Sequence, residues 1–335
     1  MKRRHRVLGA LAGLLTLAVL LGVSARTLPA DLQSLPYVPV VVSVTPWLIP
    51  LAAVAVVLAF ASRRAVTAVI AVGVLAVNVW WQYPFFHADD ALPAAADAAV
   101  AQASPDTSDA YARVMTCNVY KGRADASAIV ALVRDERVEV LALQETTDEF
   151  VAALDAAGIG DYLPYAQVSS SDGVYGNGLW SATPLGDPSD DDVDSSASFM
   201  PGGTVSFSGG ASAVRFVSVH TTAPVDGYWA QWRRALDELA LMRSDDAVRY
   251  VFMGDFNATY DHTPFRDFLG ERFGDAARMA GEGLTFSWPA DRGALPAFAG
   301  IDHVVVDRGI RAGRVRTARV EGTDHEALLA TLMVG

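Results

Sequence analysis

The chain has 335 residues and is 52% apolar, which is enough for one large domain and a further segment, because single cores seldom exceed about 250 to 300 residues. Of its 26 Lys and Arg residues, seven lie in residues 1–88 beside one acid, Asp31, so the other 247 residues hold 19 basic and 37 acidic side chains, a formal charge of −18. An acidic surface repels nucleic-acid phosphate, which weighs against a dedicated nuclease. The single cysteine, Cys117, excludes an intrachain disulfide.

Three uncharged apolar stretches follow a basic N-terminus, over residues 7–23, 40–60 and 65–81. The first alone would also fit a signal peptide, but two further stretches, each close to the roughly 20 residues that cross a bilayer, favour a membrane anchor. We therefore expect an anchor over residues 1–88 with about three transmembrane helices. The third stretch is short, so an interfacial position stays open for it.

Basic residues mark the N-terminus and the turn between the second and third stretches. The excess of positive charge on cytoplasmic loops places both on the cytoplasmic side. With three crossings, the chain after residue 81 lies outside. We expect a multi-pass protein of the cytoplasmic membrane with an extracytoplasmic C-terminal domain, the lipid bilayer as its partner, and no protein partner implied. The basic residues are Lys2, Arg3, Arg4, Arg6, Arg63 and Arg64.

Residues 89–110 are rich in Ala, Asp, Ser and Pro without an apolar period, which predicts a flexible or loosely helical linker. Over residues 111–335, short β-rich runs alternate with helical stretches, which predicts a mixed α/β domain. Strands are expected at 111–119, 139–144, 178–181, 204–207, 213–220, 250–253 and 301–306, and helices at 126–137, 148–157 and 228–243.

Polar residues stand at the ends of several predicted strands, where α/β folds place their sites. Asp255 and Asn257, within Gly-Asp-Phe-Asn, follow one apolar run and suit the binding of a metal or a water molecule against a phosphate. Asp302 begins another run, and the pair Asp324 and His325 precedes the last. A carboxylate orients a neighbouring imidazole and stabilises its charged form, as acid-base chemistry on a phosphate ester requires.

Glu145 ends a buried run, and hard oxygen ligands of its kind suit Mg²⁺ or Mn²⁺. Asn118 and His220 end strands in the same way. Each of these residues also has a structural interpretation: a turn, a solvated rim residue or a hydrogen-bonded core histidine. Singly, the two interpretations are balanced, and it is the ordered set that favours a site.

That ordered set resembles the endonuclease/exonuclease/phosphatase superfamily across nearly all of residues 111–335. The segments that carry the resemblance are MTCNVY, LALQE, GNGLWS, VSVHTTAP, FMGDFNAT, LTFSWP, IDHVVV and GTDHEAL. It implies a four-layer α/β sandwich, with two packed mixed β-sheets flanked by helices, preceded here by the transmembrane segment. It also implies a hydrolase that cleaves phosphoric esters with Mg²⁺.

The resemblance implies a role for each residue of the set. Glu145 with Asn118, and Asp324 near them, would form the metal site, which takes Mg²⁺ with Mn²⁺ as a possible substitute. Which residue is the general base stays open. The residues expected to act on the phosphoester are Asp302 with His325 as the acid-histidine pair, Asp255 toward the attacking water, and Asn257 and His220 toward phosphoryl oxygens or the leaving group.

Tyr120 stands where some nuclease members have a metal-binding acid, and no basic, aromatic-interleaved stripe for a nucleic-acid strand is present. Three membrane helices before an outward-facing domain resemble the VanJ-type proteins associated with glycopeptide resistance. This implies an extracytoplasmic phosphatase acting on a phosphorylated lipid such as undecaprenyl pyrophosphate. The alternatives are a membrane-tethered nuclease, a phospholipid or sphingolipid phosphodiesterase and a non-catalytic binding module.

Overall fold

The computed structural model describes residues 2–88, 91–101 and 107–335. The chain divides into two compact units. The first comprises Met1–Pro84 with Asp261–Thr263, and the second comprises Phe85–Tyr260 with Pro264–Gly335.

The first unit is helical, and α1 packs against both α3 and α4. Its small core contains Val19, Ala52 and Val74, while most other apolar side chains of the helices are exposed. Helices that are apolar all round belong in an apolar environment. The helices are α1 (Lys2–Thr27), α2 (Val38–Ser43), α3 (Leu48–Ala61) and α4 (Ala65–Gln82).

Two helical segments among the described residues are long and apolar enough to cross a membrane, Arg4–Thr27 and Ala65–Phe86. The expected second helix over residues 40–60 is not continuous. A 3-10 turn, Thr45–Trp47, separates α2 from the 14-residue α3, and Pro46 within that turn lacks the N–H that a helix interior uses. At about 21 Å, α3 is shorter than a bilayer core of roughly 30 Å. The structure thus corrects the bounds of this helix, and the number of crossings stays a prediction.

The second unit contains two six-stranded sheets. The first has the strand order β11-β12-β1-β2-β4-β3, and the second has the order β5-β6-β7-β8-β10-β9. Each sheet has one parallel pair, β1 with β2 and β7 with β8, among antiparallel neighbours. The strands are β1 (Tyr111–Asn118), β2 (Val140–Gln144), β3 (Tyr165–Ser169), β4 (Asn177–Ser181), β5 (Gly186–Ser189), β6 (Gly202–Phe207), β7 (Ser212–His220), β8 (Tyr250–Asp255), β9 (Phe273–Asp275), β10 (Asp302–Asp307), β11 (Arg311–Arg319) and β12 (Glu326–Met333).

The two sheets pack face to face because strand residues alternate between an inner and an outer face. Val114 of the first sheet and Val251 of the second share the central core, whereas Met115 and Phe252, the next residue in each strand, face the outer helices. Those helices complete the four layers of the predicted sandwich, which is confirmed. The helices of this unit are α5 (Ala95–Val100), α6 (Ala126–Glu136), α7 (Asp148–Ala156), α8 (Trp229–Leu241), α9 (Thr263–Leu269) and α10 (Ala276–Ala280).

One polar bridge joins the sheets inside the apolar core. Gln144 accepts a hydrogen bond from Thr116 at 3.1 Å and donates one to Ser218, also at 3.1 Å. Its buried amide is therefore paired on both sides, as a polar group in a core must be. The bridge lies one residue before Glu145 and ties β2 to β7 beside the strand ends that carry polar residues.

The predicted linker is structured in its described part. Residues 91–101 include α5, and Asp97 pairs with Arg314 of β11 at 2.5 Å. The described part of the segment thus contains one short helix, and a linker over residues 89–110 stays a prediction. Residues 89–90 and 102–106 lie outside the described residues.

Candidate active site

Polar side chains from both sheets meet where their central strands end. Asn118 pairs with Gln144 in the register of β1 and β2, so Glu145 follows at the same edge. In the second sheet, His220 is the register partner of Asp255, and Asp255 is the partner of Asp302. Register partners project from the same face of a sheet, so three strands deliver two carboxylates and one imidazole to one row.

Gly254 explains the Gly-Asp-Phe-Asn sequence in backbone terms. Its φ is +154°, and a Cβ built there would lie 1.9 Å from the carbonyl oxygen of Val219. Only glycine tolerates both conditions. The close approach of β8 to β7 at this point sets Asp255 beside His220.

The expected pair of Asp302 and His325 is present and buried. His325 Nδ1 lies 2.8 Å from Asp302 Oδ2, and His325 Nε2 lies 3.7 Å from Asp255 Oδ2. Burial alone lowers the pKa of His325, but the charges of Asp302 and Asp255 outweigh it and raise this pKa to about 10. The imidazole is therefore positively charged at neutral pH.

Asp255 lies near both histidines, with its Oδ2 3.8 Å from His220 Nε2 and 3.7 Å from His325 Nε2. Burial raises its pKa from 3.8, the charge of His325 opposes the rise, and the net pKa is about 7. Its Oδ1 accepts a hydrogen bond from the Asn257 backbone N–H at 2.8 Å, and its Oδ2 accepts one from the Asn118 amide at 3.1 Å. A carboxyl group held near neutrality is suited to proton transfer at physiological pH.

His220 is held in the neutral form. Burial and the charge of His325 lower its pKa to about 4. Its Nδ1 lies 3.4 Å from the hydroxyl of Ser198, and its Nε2 lies 3.8 Å from Asp255 and 3.9 Å from Glu145. The two histidines thus have opposite electrostatic states at neutral pH.

Glu145 and Asn118 are in contact, as expected for two members of one site. The Asn118 amide donates to Glu145 Oε1 at 3.2 Å, and the Lys121 backbone N–H donates to Glu145 Oε2 at 2.9 Å. Asn118 Oδ1 accepts from the Tyr120 N–H, so in this orientation the amide donates to carboxylates and does not present its oxygen to a cation. Its role as a metal ligand would require the amide to turn over and stays a prediction.

The carboxylates of the site fit a divalent cation. Glu145, Asp255, Asp302 and Asp324 outnumber the one charged histidine, and Oδ1 of Asp324 is buried with no hydrogen-bond partner among the described residues. Burial raises the pKa of Glu145, and the charge of Asp324 adds to the rise. Excess buried negative charge with unpaired hard oxygen atoms is the chemistry that Mg²⁺ and Mn²⁺ satisfy.

A second group, Asp255, Asp302 and His325, brings one potential ligand atom from each residue within 4.8 Å. The hydrogen bond between Asp302 and His325 already uses Nδ1 of the imidazole, and the remaining nitrogen belongs to a charged ring. Asp302 and His325 therefore form a hydrogen-bonded acid-histidine pair, with Asp255 Oδ2 3.7 Å from His325 Nε2. A metal site at Glu145 and Asp324 stays a prediction.

The site opens into a pocket of about 390 Å³. Asn257, with a φ of +46°, lines the pocket and donates to the carbonyl oxygen of Thr221 at 2.9 Å. Trp288 lines it too and donates to Asp324 Oδ2 at 3.4 Å. Asn118 and Asp302 stand behind the pocket, whereas the other six predicted site residues line it: Glu145, His220, Asp255, Asn257, Asp324 and His325.

The structure brings all eight predicted site residues into this one cluster. Sequence reasoning missed Ser198 and Thr323. Thr323 donates to the Asn118 carbonyl oxygen at 2.7 Å and accepts from the His325 N–H, so it joins β1 to the loop that carries Asp324. Its place directly before Asp324 was the available signal, whereas nothing in the sequence marks Ser198.

Comparisons with solved structures identify the same fold. The relatives include an endonuclease/exonuclease/phosphatase family protein from Leptotrichia buccalis, at 14% identity and a TM-score of 0.53 over 66% of this chain and 99% of that chain. D. rerio TDP2 complexed with a single-strand DNA product matches at 14% identity and a TM-score of 0.56 over 67% and 99%. The 3′ phosphatase NExo from Neisseria, bound to a product DNA hairpin, matches at 18% identity and a TM-score of 0.52 over 65% and 98%. No curated protein sequence matches the chain significantly.

The fold and the cluster of carboxylates and histidines define a protein of the phosphoesterase and nuclease class. The chain belongs to the Endonuclease/Exonuclease/phosphatase family, whose sequence profile matches residues 115–325. Members of this family are hydrolases that act on phosphoric esters and generally use divalent metals.

Proposed function

We propose that the protein is a membrane-anchored, Mg²⁺-dependent phosphoesterase that acts on a lipid-linked phosphate or pyrophosphate on the outer face of the cytoplasmic membrane, in the manner of the VanJ-type subgroup. One observation carries the choice of substrate class: a family-type catalytic pocket shares its chain with long apolar helices. A substrate anchored in the same bilayer would meet the tethered site at a high effective concentration.

Charge at the pocket supports a small phosphorylated head group over a nucleic-acid strand. Among the residues that line it, Lys121 is the only Lys or Arg. Proteins that bind a nucleic-acid strand use a run of basic side chains along its phosphate backbone. The formal charge of −18 on residues 89–335 opposes such a run.

Glu145 and Asp324 would hold the metal, which supplies charge stabilisation for phosphoryl oxygens. The protein's own groups do the rest. Charged His325, oriented by Asp302, donates a hydrogen bond to a phosphoryl oxygen and stabilises the charge that develops there. Asp255, with its pKa of about 7, accepts a proton from the attacking water, and neutral His220 and the Asn257 amide bind the remaining oxygens.

A membrane-tethered nuclease is the second candidate, since two of the similar structures hold DNA products. A phospholipid phosphodiesterase would use the same catalytic residues with a different pocket lining. A non-catalytic binding module is disfavoured, because every acidic and histidine position of the pattern is occupied.

The test is hydrolysis by the full-length protein in detergent, with Mg²⁺, of undecaprenyl pyrophosphate and, in parallel, of supercoiled plasmid. Glu145→Ala provides the blank for each substrate. Phosphate release that disappears in the variant is the expected result. Plasmid nicking that disappears in the variant, without lipid turnover, would establish the nuclease instead.

Topology has its own test. A reporter fused after Asp109 should score as extracytoplasmic in cells that express the anchor, and a cytoplasmic score would refute the proposed orientation. A matched fusion after Ser62, in the basic turn, should score on the opposite side.

A further inference from the structure

One part of the pocket mouth is apolar and exposed. We call it the apolar rim, which consists of Tyr175, Phe199, Val225 and Tyr228, each between 42 and 54% exposed. Tyr175, Val225 and Tyr228 line the pocket, and the Phe199 N–H donates to the carbonyl oxygen of Tyr175 at 3.0 Å. In the described part of the second unit, these are four of the eight large apolar side chains that are exposed, so the exposure concentrates at the pocket.

The rim adjoins the catalytic cluster through His220. Ser198, the residue before Phe199, contacts His220 Nδ1 at 3.4 Å, while Val225 and Tyr228 belong to the loop that follows His220 along the chain. Gln231, in the first turn of α8, donates to the Ser196 carbonyl oxygen at 2.8 Å and so joins the helix after this loop to the loop of Ser198. An apolar group held by the rim would thus lie next to the position of a bound phosphate.

The chemistry of the rim selects one kind of ligand. Tyr and Phe side chains also stack on nucleic-acid bases, but the acids Asp172 and Asp226 accompany the rim in two of its three loops and repel a phosphate backbone. A hydrocarbon chain has no charge to repel. It gains free energy from every methylene group that leaves water, and exposed apolar patches of this kind commonly mark ligand or membrane contacts.

We propose that the apolar rim holds the first segment of the hydrocarbon chain of an amphiphilic phosphoester whose head group occupies the catalytic pocket. The inference rests on the proposed phosphoesterase function and assigns specificity residues to it. Val225 and Tyr228 bind the chain, and the polar residues of the site bind the phosphate.

The test is binding of a series of non-hydrolysable alkyl phosphonates, from ethyl to octyl, to the full-length protein in nanodiscs with Mg²⁺. Isothermal titration against empty nanodiscs subtracts the partition of the ligand into lipid. Burial of one methylene is worth up to roughly a fourfold change in affinity, so the wild type should bind roughly twofold to fourfold more tightly per added methylene over the first several.

In the combined variant Val225→Ser with Tyr228→Ser, the affinity should no longer increase with chain length. Its affinity for ethyl phosphonate should stay within about twofold of the wild-type value, because the residues that bind the phosphonate group are unchanged. Leu241→Ser is the control: Leu241, at the end of α8, is apolar and more exposed than either rim residue, but it does not line the pocket. It should retain the wild-type slope.

A wild-type affinity that does not change with chain length would overturn the proposal. So would a combined variant whose affinity still rises with chain length as in the wild type, or one whose affinity falls by the same factor for every ligand. The outcome for the rim is independent of turnover. A steep wild-type slope without Glu145-dependent hydrolysis of any phosphoester would refute the proposed function and still support the chain-binding site.

Discussion

Asp302 and His325 form a buried pair in which Asp302 Oδ2 and His325 Nδ1 are 2.8 Å apart. His303, the residue after Asp302 in β10, forms a second buried His–carboxylate pair on the other face of the sheet. His303 Nδ1 lies 2.6 Å from Asp275 Oδ2, and His303 Nε2 lies 2.8 Å from the Ala258 carbonyl oxygen. Strand alternation separates the two pairs. One faces the catalytic pocket, and the other packs among Phe256 and Phe265.

Asp302→Asn should lower kcat by on the order of 10²-fold or more. The change removes the charge that sustains the high pKa of His325 and weakens the orientation of its ring. A titration of the His325 imidazole by NMR should show its pKa falling from about 10. Unchanged turnover with a shifted pKa would contradict the catalytic role of the pair.

Asp275→Asn is the matched control for that variant. It breaks a His–carboxylate pair of equal burial outside the pocket, so it should reduce thermal stability while kcat for correctly folded protein changes by less than about threefold. A kcat loss as large as that of Asp302→Asn would mean that both pairs act only through the fold.

The His303 pair should make stability depend on pH. Burial lowers the pKa of His303, but the charge and hydrogen bond of Asp275 outweigh it, and the net pKa is raised above 6.5. The charged imidazole therefore contributes stability that is fully present below the unfolded pKa of about 6.5 and is lost as pH rises through the folded pKa. The difference in Tm between wild type and His303→Gln should be largest below pH 6 and shrink as the pH rises. A difference that grows with pH would reverse the sign of this linkage.

Mg²⁺ should stabilise the protein through Glu145 and Asp324. At 100 times its Kd, a ligand that binds only the folded state adds about 2.7 kcal/mol, so Tm measured in Mg²⁺ should exceed Tm in EDTA. Glu145→Gln and Asp324→Asn should each remove most of this difference. Asp237→Asn, an acid on the exposed face of α8, should retain it. Equal Mg²⁺ shifts in all four proteins would place the metal elsewhere.

Arg272 and Asp307 form a buried ion pair outside the site, with Nη2 2.6 Å from Oδ2. Asp307→Asn should destabilise the folded protein by about 3 to 5 kcal/mol, because removal of one partner leaves the other charge buried and unpaired. Arg308 pairs with Asp246 in an exposed setting at 2.8 Å, so Arg308→Gln should cost about 0 to 1 kcal/mol. Denaturant unfolding of the two variants measures both losses of stability. Equal losses in Asp307→Asn and Arg308→Gln would contradict this prediction.

The sequence predicted most strands of the second unit, because buried strands such as β2 and β8 are continuous apolar runs that end at a polar residue. It did not predict β3, β5, β9 or β11, whose residues are partly exposed or too few to show a period, and it marked β12 only as the last apolar run, without assigning a strand. β5, with the residues Gly186–Ser189, has no apolar residue at all. Only pairing with β6 makes it a strand.

The first unit shows the same limit. Apolar composition located helices near residues 7–23 and 65–81, but it could not show where the chain between them breaks. The break at Thr45–Trp47 falls at Pro46, which hydropathy averaged over a window does not record.

By itself, the sequence determined which residue types stand at the ends of predicted strands, because strand periodicity is a local property of the chain. The order of its motifs carried the family resemblance and the eight candidate site residues. The tertiary structure alone decided their electrostatic states. His220 and His325 are both strand-end or loop histidines in sequence, yet burial leaves one neutral and two carboxylates keep the other charged. The tertiary structure also forms the apolar rim, because Tyr175, Phe199 and Val225 lie in separate loops that only the packed sheets bring to one pocket.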